Sequence, residues 1–183
     1  ANGSRPAADA DPRMAELLQP QDGLYTLVTR SGEGDSPEIV GALVEARPAA
    51  DVPRLLELMA DPAVAVVTLT VTEAGYHLDA AGALDTANAD VAADLEALAP
   101  LGSASSLDDA HVPATAPVLA TAAGRVVAGL AARRAANAGG MAVMSCDNIA
   151  DNGALTRASV LGMARAVDPE LAEWIAANVT FPS

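Results

Sequence analysis

Met141-Ala142-Val143-Met144-Ser145-Cys146-Asp147-Asn148-Ile149-Ala150-Asp151-Asn152-Gly153 passes from an apolar run through a polar turn to a glycine that opens a new segment. Residues 141–146 are short, apolar and bounded by turn formers, which predicts a strand covered on both faces. Residues 118–138 before them are alanine-rich and stop at Gly139-Gly140, as a long helix does. The same order occurs earlier in the chain. Asp51 is a good N-cap, Pro53 suits a first helical turn, and Leu55, Leu56, Leu58 and Met59 form an apolar stripe that Asp61-Pro62 ends. Residues 64–71, Val-Ala-Val-Val-Thr-Leu-Thr-Val, then read as a second covered strand. A helix returning to a covered strand, twice, is the pattern of an α/β domain, and both strands are expected in one parallel sheet, either as neighbours or with one strand between them.

Outward from these units, residues 12–18 allow one or two helical turns. Gly23 opens a β-rich run over 24–29, residues 31–37 form a turn with Gly32 and Gly34, and 38–47 is a second apolar run; together they predict a β-hairpin near the N-terminus. Residues 86–99 read as a helix rich in Ala and Asp, 102–117 as an exposed loop with Pro113 and Pro117, and 153–166 as a helix. Asp168-Pro169 starts a last helix ending near Asn178. Arg133 and Arg134 lie near the C-terminus of the 118–138 helix, where they are expected to be solvated and to oppose the helix dipole favourably. No internal repeat and no G-x-G-x-x-G turn between strand and helix is present.

Composition narrows the function. With 183 residues, 51 % apolar and 2 % aromatic, the chain reads as one domain with a core of Ala, Val and Leu. Its net charge of −14 argues against nucleic acid and against an anionic membrane face as partners. All ten basic residues are arginine. Without lysine these residues supply no Schiff base, no Walker-type phosphate ligand and no lysine general base. Cys146 is the single cysteine and is expected to be a small buried hydrophobe; no intrachain disulfide can form, which suits a reducing compartment. His77 and His111 are too few for a histidine metal cage, so no metal is expected, and His77 reads as a surface or hydrogen-bonded residue. The start lacks an apolar signal region and no run reaches the ~18 uncharged residues of a membrane span, so a cytoplasmic location is expected.

Both predicted strands end in polar residues: Thr72-Glu73-Ala74-Gly75-Tyr76-His77 after the first, Ser145-Cys146-Asp147-Asn148 after the second. Ligands of open α/β sheets sit outside the carboxyl ends of the strands. The same residue types also serve as helix caps and turn formers, so spacing leaves both roles open.

The residues themselves go further. Ser145-Cys146-Asp147-Asn148-Ile149-Ala150-Asp151-Asn152-Gly153 resembles the S-C-D-N-L-x-x-N-G segment of the mannitol dehydrogenase family of long-chain polyol dehydrogenases. Thr68-Leu69-Thr70-Val71-Thr72-Glu73-Ala74-Gly75-Tyr76 resembles its T-x-T-V-T-E-x-G-Y element, and Asp22-Gly23-Leu24-Tyr25-Thr26-Leu27-Val28 its Q-D-G-L-Y-T-L-V segment. Asp168-Pro169-Glu170-Leu171 with Trp174-Ile175, then Asn178-Val179-Thr180-Phe181-Pro182, is similar to its D-P-E-L-x-x-W-I and N-V-S-F-P stretch. Four elements in the same order cover most of the chain.

The resemblance implies an α/β fold with an incomplete Rossmann-like parallel sheet flanked by helices and a hairpin insertion, residues 1–183 being part of a dinucleotide-binding domain. It implies that the first βαβ unit with the family's G-x-G-x-F-H-R-A-H phosphate segment, and the helical domain with its K-x4-N-x2-H catalytic lysine, lie outside this sequence. Asn148 matches the asparagine that holds the oxygen of the reacting carbonyl or alkoxide, and Glu73 matches a carboxylate associated with proton movement near the active site. Thr72 and Ser145 are candidate contacts on the nicotinamide side, while Asp147 is expected to orient the loop or cap a helix. The implied activity is NAD-dependent (NADP possible) interconversion of a sugar alcohol and a ketose, mannitol and fructose first, with a hexuronate or aldonate such as fructuronate as the alternative class. The implied protein is monomeric, and the isolated chain is expected to be inactive. The competing reading is a non-catalytic α/β binding or interaction module, since phosphate segment and lysine base are both missing from these residues.

Overall fold

Small side chains let backbones approach closely, and this chain uses that freedom at its helix–strand junctions. The computed structural model describes residues 13–102 and 118–183 and divides into two compact units, Ala1–Asp51 and Val52–Ser183.

In the first unit, α1 (Arg13–Leu18) runs into a short 3₁₀ turn and then the hairpin of β1 (Tyr25–Ser31) and β2 (Gly34–Val40). The strands pair antiparallel from Tyr25↔Val40 to Ser31↔Gly34. The turn is tighter than the expected 31–37, because Gly32-Glu33 suffice. Ser31 Oγ accepts the Glu33 amide at 3.2 Å and donates to the Gly34 carbonyl at 3.2 Å, while Gly34 takes φ 124°, a conformation open mainly to glycine. The second strand stops at Val40 rather than continuing to 47. Gly23, at φ 76°, lies so close to the Leu43 carbonyl that an added Cβ would stand 2.1 Å from its oxygen.

The second unit holds a parallel sheet in the order β3-β4-β5: β3 (Val66–Leu69), β4 (Met141–Ser145) and β5 (Val179–Thr180). Val66 pairs with Ala142 and Leu69 with Ser145, so the two long apolar runs share one parallel sheet, as the sequence suggests, and are direct neighbours in it. Among the described residues it is accompanied by the helices α2 (Val52–Ala60), α3 (Ala89–Gly102), α4 (Ala122–Ala135), α5 (Asn152–Val167) and α6 (Pro169–Asn178). Leu130, Val143, Met163 and Ile175 are fully buried at the centre of one core.

Only β4 meets the expectation of a strand enclosed on both sides. β3 is shorter than 64–71 and alternates: Val67 and Leu69 pack on the core, whereas Val66 is 49 % exposed and Thr68 is exposed. Among the described residues β3 has a partner strand on one side alone, and an edge strand need not be covered on both faces. The two-residue β5 was not anticipated; it pairs with β4 at Met141↔Val179.

Helix α4 starts at Ala122 rather than at 118, and the cause is specific. The buried Asp94 of α3 accepts hydrogen bonds from the Ala120 amide (2.7 Å), the Thr121 amide (2.9 Å) and the Thr121 hydroxyl (2.6 Å). This draws the chain out extended, and the Thr121 hydroxyl caps the helix by accepting the Gly124 amide at 2.9 Å. Helix α3 lies three residues later than expected, because Asn88 caps it by accepting the Asp90 and Val91 amides. It takes in Gly102; the remainder of the expected 102–117 loop lies outside the described residues.

Arg133 corrects the picture of a solvated helix end, for it is 1 % exposed. Its guanidinium donates to the carbonyls of Gly139 (2.8 Å), Met59 (2.9 Å), Asp61 (3.1 Å), Ala138 (3.0 Å) and Gly140 (3.0 Å). Five donors thereby meet five backbone acceptors at the α2–β3 and α4–β4 junctions, which is what makes burial of the charge tolerable. Arg134 is half-buried and faces Asp168 (3.3 Å) and Glu170 (3.4 Å).

Candidate active site at the strand carboxyl ends

The sheet register carries the two polar segments to one place. Leu69 and Ser145 are partners, and the Cys146 amide donates to the Leu69 carbonyl at 2.8 Å, one step past the last pair. Beyond that point the strands are tied by a side chain: Asp147 Oδ1 accepts the Val71 amide at 2.7 Å. The chain after β3 then turns through a 3₁₀ segment, Glu73–Tyr76, and sends the Tyr76 ring back into the interior, where it is 3 % exposed.

Two hydroxyls converge on the Asp147 carboxylate. Ser145 donates to Oδ2 at 2.8 Å, Tyr76 donates to the same oxygen, and the two hydroxyls lie 2.7 Å apart. Burial, then the hydrogen bond to Asp147, holds the Tyr76 phenol above its ordinary pKa, so it stays a neutral donor. From the start of α5, Asn152 Nδ2 donates to the Asp147 carbonyl at 2.9 Å and more distantly to that of Ser145 at 3.4 Å. Thr156 in turn ties its hydroxyl to the Asn152 carbonyl at 2.8 Å. A small crevice beneath is lined by Leu69, Val71, Tyr76, Thr156, Ser159 and Val160.

Against this frame the expected site residues divide. Ser145 is buried, with its hydroxyl engaged by Tyr76 and Asp147. Thr72 and Glu73 are exposed at the entrance to the 3₁₀ turn, and Thr72 makes no capping hydrogen bond there. Asn148 is exposed, and its side chain makes no hydrogen bond among the described residues. It does not cap α5, whose N-cap is Asp151 in the left-handed region at φ 55°. Thr72, Glu73 and Asn148 thus leave the same end of two adjacent strands. Asp147 orients the loop and caps no helix. Cys146 is exposed, not buried, because it lies one residue past the end of β4, beyond the enclosed part of the sheet.

Sequence reasoning missed Tyr76, Asn152 and Thr156. A signal for Tyr76 existed: in a chain with two tyrosines, one phenylalanine and one tryptophan, an aromatic just past a strand end is an unusually large group to place. Asn152 and Thr156, four apart at a helix start, carried no such mark.

A parallel sheet flanked by helices, with exposed polar groups gathered at the strand carboxyl ends, defines a Rossmann-like α/β domain. The chain belongs to the mannitol dehydrogenase family: residues 6–183 match the family's model, described as the mannitol dehydrogenase Rossmann domain. It is 42 % identical over 182 residues to a mannitol 2-dehydrogenase of Cereibacter sphaeroides, covering 99 % of this chain and 34 % of that protein. It is 40 % identical to a D-mannonate oxidoreductase of Escherichia coli K12, covering 92 % of this chain and 32 % of that one. The solved Pseudomonas fluorescens mannitol 2-dehydrogenase, a ternary complex with NAD and D-mannitol, superposes with a TM-score of 0.77 at 30 % identity, covering 95 % of this chain and 32 % of that structure. The chain therefore spans about a third of the length of the relatives it matches. No helix among the described residues is long and apolar enough to cross a membrane.

Proposed function

We propose that the protein is an NAD-dependent oxidoreductase that interconverts a sugar alcohol and a ketose, with mannitol and fructose as the first substrate pair. The observation that carries this reading is the unpaired, exposed amide of Asn148 on an anchored strand end, in a chain of the mannitol dehydrogenase family. In this reading oxidation takes a hydride from the carbinol carbon and a proton from its hydroxyl, leaving a carbonyl. Bound NAD supplies the hydride acceptor. The Asn148 N–H donates to the substrate oxygen as negative charge develops on it, and a donor already in place stabilises that charge without reorganisation. Glu73, exposed at the entrance to the same end, passes the released proton toward solvent. Thr72 lies on the nicotinamide side, and Ser145 serves that side by holding Asp147.

The residues present suit the nicotinamide end of the cofactor, because uncommitted polar groups stand at the strand ends where such rings bind. The proton acceptor is a lysine outside these 183 residues, which contain none, and the pyrophosphate site likewise lies outside them. We place the whole protein in the cytoplasm as a monomer.

The test is initial-rate kinetics of the protein as expressed from its own gene, with mannitol, arabinitol and mannonate, each with NAD and with NADP. Mannitol oxidised with the highest kcat/KM, with NAD preferred, is the expected result. A preference for mannonate would move the assignment to the sugar-acid class, which the likeness to D-mannonate oxidoreductase favours. No turnover with any of them would favour the non-catalytic module. The 183-residue chain alone is expected to show no saturable turnover, since a base must come within hydrogen-bond reach of the reacting hydroxyl.

A further inference from the structure

Asn148 poses a problem of precision. A group that stabilises a transition state must be held within ~0.5 Å and 10–20° of its working geometry. Yet the Asn148 side chain has no hydrogen bond of its own among the described residues. Whatever fixes it must act through the backbone, and the residue before it is the most heavily anchored in the region. Asp147 accepts from the Val71 amide (2.7 Å), from Ser145 (2.8 Å) and from Tyr76 through its carboxylate, and from Asn152 (2.9 Å) through its carbonyl. These anchors come from the segment after β3, from β4 and from α5, so they hold the residue from three directions.

The Asn152 contact fixes the peptide that joins Asp147 to Asn148, because the bonded carbonyl belongs to that peptide. It comes at a cost. With its Nδ2 turned to two carbonyls, the buried Oδ1 of Asn152 has no partner among the described residues, and an unpaired buried acceptor is destabilising. The opposite amide orientation would set Oδ1 against those carbonyl oxygens. Asn152 thus turns its amide N–H to the 147–148 peptide and holds it.

We propose that Asp147, clamped by Tyr76 and Asn152, is a positioning residue that sets the direction of the Asn148 amide during the reaction. It touches neither substrate nor cofactor; it acts through its neighbour. This rests on the oxidoreductase reading above and adds to it a means of aiming the oxyanion donor.

A double-mutant cycle in the whole protein tests it. Asp147→Ala is expected to lower kcat on the order of 10²-fold, the scale of a ~1 Å misplacement, with the Kd for NAD changed little. In an Asn148→Ala background the same substitution is expected to cost less than about 3-fold, because a residue that acts only through Asn148 has nothing left to aim. Tyr76→Phe keeps the ring in the core and deletes one hydroxyl. It is expected to lower kcat roughly 3- to 10-fold, the scale of one hydrogen bond, and to show the same dependence on Asn148, so the inference stays testable if Asp147→Ala does not fold. Equal losses in both backgrounds, or unchanged kcat in active, folded variants, would overturn the positioning role and leave the oxidoreductase reading standing. A wild-type protein without turnover would remove both.

Discussion

The two ends of β4 are tied by groups of opposite charge, a buried arginine at one and a partly buried aspartate at the other. At the amino end, Arg133 spends five donors on five backbone carbonyls, and the packing there is tight: a Cβ on Gly140 would stand 2.4 Å from the Asn178 carbonyl oxygen. At the carboxyl end, the Asp147 carboxylate gathers donors, but Thr72, Glu73, Cys146 and Asn148 around it remain exposed. At the first end the charged group itself is buried and all its donors are paired. The other is a paired base carrying exposed groups whose side chains make no hydrogen bond among the described residues. The buried, paired charge stands where helices hand over to strands, and the groups proposed to carry chemistry stand where the strands run out, the end at which open α/β sheets receive ligands.

The strongest way to break this contrast is at Arg133. Arg133→Met removes the charge and leaves five carbonyls short of a donor, so unfolding free energy is expected to fall by about 3–5 kcal/mol, read from urea unfolding curves. The kcat of the protein that remains folded should be near wild type. A stable Arg133→Met variant with abolished turnover would reverse the roles of the two ends.

The mirror experiment is Asn148→Ala in the whole protein. It should leave the urea midpoint nearly unchanged and lower kcat by ~10²–10³, with NAD affinity little affected. An equal loss of NAD affinity would shift Asn148 from the reacting oxygen to cofactor binding.

Gly140→Ala sharpens the amino end. Its φ is ordinary, so the cost comes from the Asn178 carbonyl, which must move. A loss of about 1–3 kcal/mol is expected, and a neutral result would mean that the β4–β5 junction is loose.

The smallest effect concerns pH. The Tyr76 phenol is held above its ordinary value by burial and by Asp147. In the unfolded chain it titrates near ~10. The stabilisation is thus fully present below pH ~10 and is lost as pH rises through the higher folded-state value. The difference in Tm between wild type and Tyr76→Phe should therefore shrink above pH ~10; a constant difference would mean that Tyr76 ionises as readily folded as unfolded.

The contrast between the ends also explains what could be read from the sequence. That residues 64–71 and 141–146 share one parallel sheet was legible, because apolar runs and helix stops are local features, but their direct adjacency was not. The placing of Thr72, Glu73 and Asn148 at one end was legible too, since it follows from strand direction. Arg133 was not. Its partners include Met59 and Asp61, far off in the chain, and backbone carbonyls carry no sequence mark. Cys146 was misjudged because residue type suggests burial, whereas its outward direction depends on where β4 ends. Tyr76 meets Asp147 only through the fold, 71 residues on, and the Asn152 contact goes to a backbone carbonyl, which carries no sequence mark. The both-face burial expected of β3 was not met, because an apolar run does not tell how many partner strands it will have, and among the described residues β3 has one.

The outward turn of Cys146 has a practical use. Its backbone is pinned to Leu69 and its neighbours belong to the anchored base, so a probe attached to its sulfur would sit on a still platform two residues from Asn148. Within these 183 residues no second thiol competes for the reagent. A small fluorophore or nitroxide placed there would report the arrival of a ligand at the strand ends by its own spectrum, without any need for turnover.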